Sequence, residues 1–198
     1  MLKNYYQTEL LEAGIDEAGR GCYAGPVFAA AVILPSDFYH PLLNDSKQVK
    51  EKDRYELRAF IQEKALAWAV ASVEEAEIDR INILQATWKA MHLAIQNLGT
   101  KPELLLIDGN RFRSFSDIPH RCIVKGDSLY ASIAAASILA KTCRDDHMNQ
   151  LHHSYPQYGW KQNKGYGTKV HRDAILQYGL CEFHRKSFQI NPLIPSLF

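Results

Sequence analysis

Four acidic positions in this 198-residue chain stand where chemistry could be done: Asp16 with Glu17, Asp108, and Asp127. Asp16 ends the short apolar stretch from Leu10, Asp108 closes the apolar run Leu104 to Ile107, and Asp127 follows Cys122 to Val124. Strand ends are where functional groups converge in an α/β sheet. A single acid ending a strand is more often a turn or helix-cap residue, so none of the four is informative alone. Together they could converge only around a cation, because like charges within about 4 Å in a poorly solvated cleft repel strongly. Oxygen donors without a Cys or His cluster favour Mg²⁺ or Mn²⁺ over zinc. Such carboxylate sites hold two ions about 3.5–4 Å apart, one activating water and the other stabilising the leaving oxygen of a phosphodiester. Neighbouring residues on a strand point to opposite faces. Either a bend therefore follows Asp16, or Glu17 acts through its carbonyl or through water.

These acids need elements to position them. Leu10 to Asp16 and Val27 to Leu34 read as the strands of a hairpin, with the glycine-rich Gly19 to Gly25 as its turn region. Lys50 to Lys64 is a periodic helical segment with Ser46 as its expected cap. Leu66 to Val73 reads as a third strand. Ser72-Val-Glu-Glu75 fits a capping box, and Ile78, Ile81, Leu84, Trp88, Met91 and Ile95 continue at helical steps until Gly99. Leu129 to Cys143 is an alanine-rich helix suited to close packing on a sheet. Thr168 caps a last helix running to Tyr178 and stopped by Gly179. Strands interleaved with helices predict an α/β fold with a mixed sheet. Residues 1–147 form the expected core, and residues 148–198 a small helical, basic extension within the same folded unit.

Apolar residues make up 46% of the chain and charged residues 23%, as in globular proteins, and the length suits one α/β domain. Net charge is only +1, which argues against non-specific coating of nucleic acid. Its distribution is uneven: residues 1–150 carry −3 and residues 151–198 carry +4, compatible with a phosphate-binding edge. Val27 to Leu34 is the longest apolar run, too short to span a bilayer, and no apolar stretch suggests a leader. Cys22, Cys122, Cys143 and Cys181 show no paired spacing and read as reduced thiols of a cytoplasmic protein.

The run Gly14-Ile-Asp-Glu-Ala-Gly-Arg-Gly21, followed by Ala24-Gly-Pro-Val27, resembles the opening motif of ribonuclease HII. The resemblance continues in order through Asp45-Ser-Lys47, Leu106-Ile-Asp-Gly109, Lys125-Gly-Asp-Ser128 with Ala134 to Lys141, Lys164-Gly-Tyr-Gly-Thr168 and His184-Arg-Lys-Ser-Phe188. It implies the ribonuclease H-like fold, a five-stranded mixed sheet flanked by helices with a C-terminal helical extension. It implies a metal-dependent endonuclease acting on RNA–DNA hybrids and on DNA duplexes with embedded ribonucleotides. The expected cut is on the 5′ side of the ribonucleotide, leaving 3′-hydroxyl and 5′-phosphate ends. The family's acidic quartet falls on Asp16, Glu17, Asp108 and Asp127. Its Gly-Arg-Gly element falls on Gly19-Arg20-Gly21, which the resemblance casts as a backbone sensor of the ribose 2′-hydroxyl. Glycines let a backbone approach a sugar closely, and that hydroxyl is what separates RNA from DNA. Lys47 matches a phosphate-contacting lysine, and Tyr166 a tyrosine that packs on the nucleotide beside the ribonucleotide. Cys22-Tyr23 stands where the family varies. Asp145 and Asp146 read as structural acids.

Gly126-Asp-Ser-Leu129 also spells the motif of GDSL-type serine esterases, and Asp117-Ile-Pro-His120 supplies an Asp-x-x-His pair. That pair lies upstream of Ser128, the wrong order for that triad. A non-catalytic hybrid-binding protein of the same fold would be expected with an incomplete quartet, and this one is complete. Ribonuclease HIII typically carries an additional N-terminal substrate-binding domain, and with only 13 residues before Gly14 that reading is disfavoured. A monomer is expected, with no membrane partner. The tail Leu193-Ile-Pro-Ser-Leu-Phe198 resembles sliding-clamp-binding tails, although packing on the body is the simpler role.

Overall fold

The computed structural model describes residues 2–44, 46 and 48–189. Five strands form one mixed sheet: β1 (Glu12–Ala18), β2 (Val27–Ile33), β3 (Ala67–Val73), β4 (Leu104–Asp108) and β5 (His120–Ile123), in the order β3-β2-β1-β4-β5. β1, β2 and β3 form an antiparallel meander, while β4 and β5 lie parallel to β1. The alternation of each strand divides the core. Ile15, Ala29, Ala31, Leu105 and Ile107 face α2 (Glu75–Ile81) and α3 (Ile83–Gln96). Ala30 and Val32 face the opposite layer, made of α1 (Glu51–Lys64) and α4 (Ala131–Ser154).

α4 packs chiefly on β1 and β2 and is buried throughout Ala131–Ala140, where small side chains permit a close approach. At Gly14 the approach is closest, since a Cβ there would lie 2.2 Å from the Ser132 backbone carbon. α4 continues without interruption to Ser154, past the expected end at Cys143, and meets α5 (Trp160–Asn163) and α6 (Lys169–Tyr178). Met148, Tyr158, Trp160, Ala174 and Ile175 form a third apolar cluster there with Ala24 of the β1–β2 loop.

Three local expectations differ from the structure. Ser46 caps no helix: its hydroxyl pairs with Ser137 Oγ at 2.8 Å, and α1 starts after Lys50 without a side-chain cap. The Ser72–Glu75 capping box does not form, because Ser72 belongs to β3 and Glu74 is the cap residue. The helical pattern beyond it is two helices, broken at Asn82 with φ +67°, whose side chain accepts from Leu84 N and Gln85 N. Thr168 caps α6 as expected, accepting from His171 N. All four cysteines are free. Among the described residues no helix is long and apolar enough to cross a membrane.

Candidate active site

β1 and β4 end side by side, and their register brings two acids together. The last paired residues are Ile15 and Ile107, so Asp16 and Asp108 are the next step on neighbouring parallel strands and leave from the α4 face. Asp16 is buried, accepts from Glu17 N at 2.7 Å and is hydrogen-bonded by Ser137 of α4. Asp108 Oδ1 accepts from Gly126 N at 2.7 Å, tying β4 to the turn Gly126–Ser128 that carries the buried Asp127.

No bend follows Asp16, since β1 runs on regularly to Ala18. Glu17 leaves from the other face, and its Oε1 accepts from Arg20 Nη1 at 3.1 Å. At the strand's end this carboxylate borders two clefts. One, of about 260 Å³, brings Asp16, Glu17 and Asp108 together with Gly19, Arg20, Gly21 and Tyr166. The other runs from Glu17, Arg20 and Asp108 to Trp88 and Arg111 beside α3. Asp127 does not line the first cleft, and Lys47 lies outside the described residues.

Electrostatics bind the three lining acids into one unit. Burial pushes the Asp16 carboxyl well above the usual carboxylate range, and the charges of Glu17 and Asp108 push it further. Glu17 is raised by burial and by Asp108, against the pull of Arg20. Crowded, buried carboxylates that resist ionisation suit a hard divalent cation, which would relieve their repulsion. Among the described residues no three His, Cys, Asp or Glu side chains are placed so that they could hold a metal ion by themselves. Open donor sets suit Mg²⁺, which keeps waters and takes substrate phosphates as ligands.

The loop joining β1 to β2 is held from beneath by two buried arginines, neither in an ion pair with a carboxylate among the described residues. Arg144 of α4 donates to Pro26 O (3.0 Å), Ala24 O (3.0 Å) and Lys164 O (2.8 Å). Arg185 donates to Gly25 O (2.9 and 2.7 Å) and Arg20 O (2.9 Å). Arg144 therefore ties the Ala24–Pro26 end of this loop to the segment carrying Tyr166. Gly19 makes room for this arginine, whose Nε would lie 2.0 Å from an added Cβ. Arg185 has a further effect. With the Arg20 carbonyl turned inward, the trans peptide turns Gly21 N–H outward, and no described residue accepts from it.

Tyr166 is 44% exposed at the cleft. Its hydroxyl meets the buried Cys22 thiol, and burial raises both groups above their ordinary pKa. Gly167 is required behind it, because a Cβ there would lie 2.5 Å from the Tyr23 ring. Lys141 and Ser137 also line the cleft from α4. Lys141 donates to both oxygens of Asp145, and Asp146 accepts from Tyr55 OH and Arg58 Nη1, so both acids are structural. Sequence reasoning missed Ser137, Lys141, Arg144 and Arg185. The first two sit one helical turn apart, a spacing that could have placed them on one face of α4. Nothing local marks an arginine that will be buried against carbonyls. The esterase reading has no geometric support: Ser128 donates to Asp127, and the His120 ring packs on Phe112.

The model of the family described as Ribonuclease HII matches residues 13–191. The Ribonuclease HII of Parabacteroides distasonis is 61% identical over 97% of this chain and 96% of its own length. The structure of the PCNA:RNase HII complex from Archaeoglobus fulgidus is similar in fold, with a TM-score of 0.76 and 24% identity over 90% of this chain and 95% of that one. Bst-RNase HIII in complex with Mn²⁺ follows with a TM-score of 0.70 and 20% identity, covering 91% of this chain and 68% of that one.

Proposed function

The chain belongs to the ribonuclease HII family and is a ribonuclease H endonuclease; on that premise we propose that it cuts on the 5′ side of ribonucleotides, in RNA–DNA hybrids and in DNA duplexes containing embedded ribonucleotides. The observation that carries the reading is one cleft lined by Asp16, Glu17, Asp108, the Gly19–Gly21 backbone and Tyr166. Asp16, Glu17, Asp108 and Asp127 are the groups that would hold Mg²⁺ or Mn²⁺, two ions during turnover. Such ions, when bound, supply Lewis-acid polarisation and a lowered pKa for water.

The remaining roles belong to the chain's own groups. Gly21 N–H, turned outward by Arg185, is a donor for the ribose hydroxyl or an adjacent phosphate, and the absence of side chains at Gly19 and Gly21 lets the sugar approach. Arg20 restrains Glu17 and adds positive charge beside the cut. The Tyr166 ring packs on the nucleotide next to the ribonucleotide. Lys47 and Lys141 supply positive charge for phosphate oxygens. Residues 148–198 form a basic extension, on the core of residues 1–147, that holds the duplex. A sliding clamp engaged by the tail from Leu193 to Phe198, outside the described residues, belongs to the same proposal, supported by the archaeal relative solved with PCNA.

Cleavage of a duplex carrying one ribonucleotide, with the cut position mapped with and without Mg²⁺ or Mn²⁺, tests the reading. The expected result is a metal-dependent cut at the 5′ side leaving 3′-hydroxyl and 5′-phosphate ends. Asp16→Asn should abolish it while duplex binding stays measurable. Normal turnover of that variant at saturating Mg²⁺, or equal cutting of an all-DNA duplex, would overturn the assignment.

A further inference from the structure

Behind Tyr166 runs a series of hydrogen bonds that takes no part in the chemistry. His171 and His184 are buried, at 0% and 1% exposed. Trp160 Nε1 donates to His171 Nε2 at 3.0 Å. An indole N–H can only donate, so His171 Nε2 accepts and the ring proton sits on Nδ1. That Nδ1–H then donates to the Tyr166 carbonyl at 2.9 Å. The same reasoning holds at His184. Cys181 N–H donates to its Nδ1 at 3.0 Å, leaving the proton on Nε2, which lies 3.2 Å from His171 Nε2. Trp160 and His184 therefore share the single lone pair of His171 Nε2, with the shorter contact to Trp160, and the donors run from Cys181 to His184, His184 to His171 and His171 to Tyr166.

Aligned hydrogen bonds polarise one another and gain strength in a dry interior. This interior is aromatic, with Tyr158 and Trp160 against His184 and Tyr23 against His171. No acidic side chain acts on either ring among the described residues, and burial pushes both imidazoles below their ordinary pKa. The pair is therefore neutral, with both tautomers set by donors that cannot reverse. The Tyr166 carbonyl also accepts from Thr168 N at 2.8 Å, so the segment is held from two directions.

We propose that His171 is a positioning residue for ribonucleotide recognition, acting through the Cys181–His184–His171 relay to fix the Tyr166 carbonyl and so aim its ring. The proposal rests on Tyr166 as the contact to the nucleotide beside the ribonucleotide.

Nitrogen-15 NMR of the histidines in the intact wild-type protein tests the relay without any variant. His171 should carry its proton on Nδ1 and His184 on Nε2; the opposite tautomer at His171 overturns the proposal. Kinetics on a duplex with one ribonucleotide test the consequence. An Asn amide nitrogen can occupy the place of Nδ1, whereas Leu cannot donate. Loss of one hydrogen bond worth about 1.4 kcal/mol corresponds to about ten-fold. His171→Leu should thus raise KM about ten-fold with little change in kcat, and His171→Asn should recover most of the loss. Equal impairment of the two variants would reduce His171 to packing, and an unaltered KM in His171→Leu would equally overturn the proposal. Tyr166→Ala separates the two readings: an unchanged KM there removes Tyr166 as the contact and leaves the tautomer result standing.

Discussion

Gly14→Ala probes the contact that sets the depth of the site. The added methyl would lie 2.2 Å from Ser132 C, 2.4 Å from Ile133 N and 2.5 Å from Ser132 O. These are backbone atoms of the first turn of α4, so no rotamer change relieves the clash. Ordinary carbon contacts begin near 3.5 Å, so the start of α4 must retreat by about 1.3 Å. The first turn of α4 packs Ile133 on Leu104 and Leu106 of β4, and the following turns, Ala135–Ala140, pack against α1, so its retreat strains both contacts. Overpacking costs about 1–3 kcal/mol, and a clash with backbone belongs at the upper end. For a chain of this size each kcal/mol lowers the melting temperature by about 2–4 °C, so a fall of about 6–12 °C is expected. Activity should suffer too, because Ser137 on the same helix holds Asp16. A displacement of about 1 Å near reacting groups can cost about 10²-fold in rate. The assays are thermal melting and kcat/KM on a duplex with one ribonucleotide. Gly99→Ala is the control: a Cβ there meets nothing, although φ is +70°. It should cost about 1–2 kcal/mol in backbone strain and leave kcat/KM unchanged. Gly14→Ala with a wild-type melting temperature and wild-type kcat/KM would refute the packing argument.

Two further predictions concern buried titratable groups away from the carboxylates. Glu75 at the start of α2 is buried with Oε1 unpartnered, and burial pushes its carboxyl up to about 7. The fold favours the protonated form, so stability present below about 4.5 is lost as pH rises from there to about 7. Glu75→Gln should raise the melting temperature at pH 8.5, by up to about 3 kcal/mol in stability, and change it little at pH 4, below the carboxylate's ordinary value; a lower melting temperature at pH 8.5 would instead identify Glu75 as the counter-charge of Arg185 and Arg144. His184 is pushed down to about 4, by burial first and then by His171. Here the unfolded chain takes up a proton that the folded one refuses, so stability present above pH 6.5 falls by about 3 kcal/mol as pH drops toward 4. Denaturant melts from pH 7 to 4 should show this slope flattened in His184→Gln, and an unchanged slope would remove His184 as its source.

Local pattern carried much of the fold. The β1–β2 hairpin, the strands β3 and β4 and the Thr168 cap could be read because the interactions that define them lie within a few residues. Readings failed where the deciding partner was distant. Ser46 finds a hydroxyl 91 residues away in place of a helix end. α4 passes Arg144, Asp145 and Asp146 because the loop carbonyls, Lys141, and Tyr55 with Arg58 satisfy them in turn. At Asn82 the helical period continues unbroken while the backbone does not. The acids and glycines of the site were legible because their chemistry is unusual at strand ends. Arg144 and Arg185 were not, since only the folded chain reveals that their partners are carbonyls.

The arginine anchoring also bears on which changes this site can tolerate. Arg144 and Arg185 grip Arg20, Ala24, Gly25, Pro26 and Lys164 by carbonyl oxygens alone. Every residue type supplies that oxygen, proline included, so apart from Gly19 and Gly25, where an added Cβ would crowd Arg144, the grip is indifferent to which side chains the segment bears. It is sensitive to spacing, because one residue added or removed between Arg20 and Pro26 would bring a different carbonyl to each guanidinium. For these two arginines the length of the recognition loop is the fixed quantity, and its spelling is left to its other contacts.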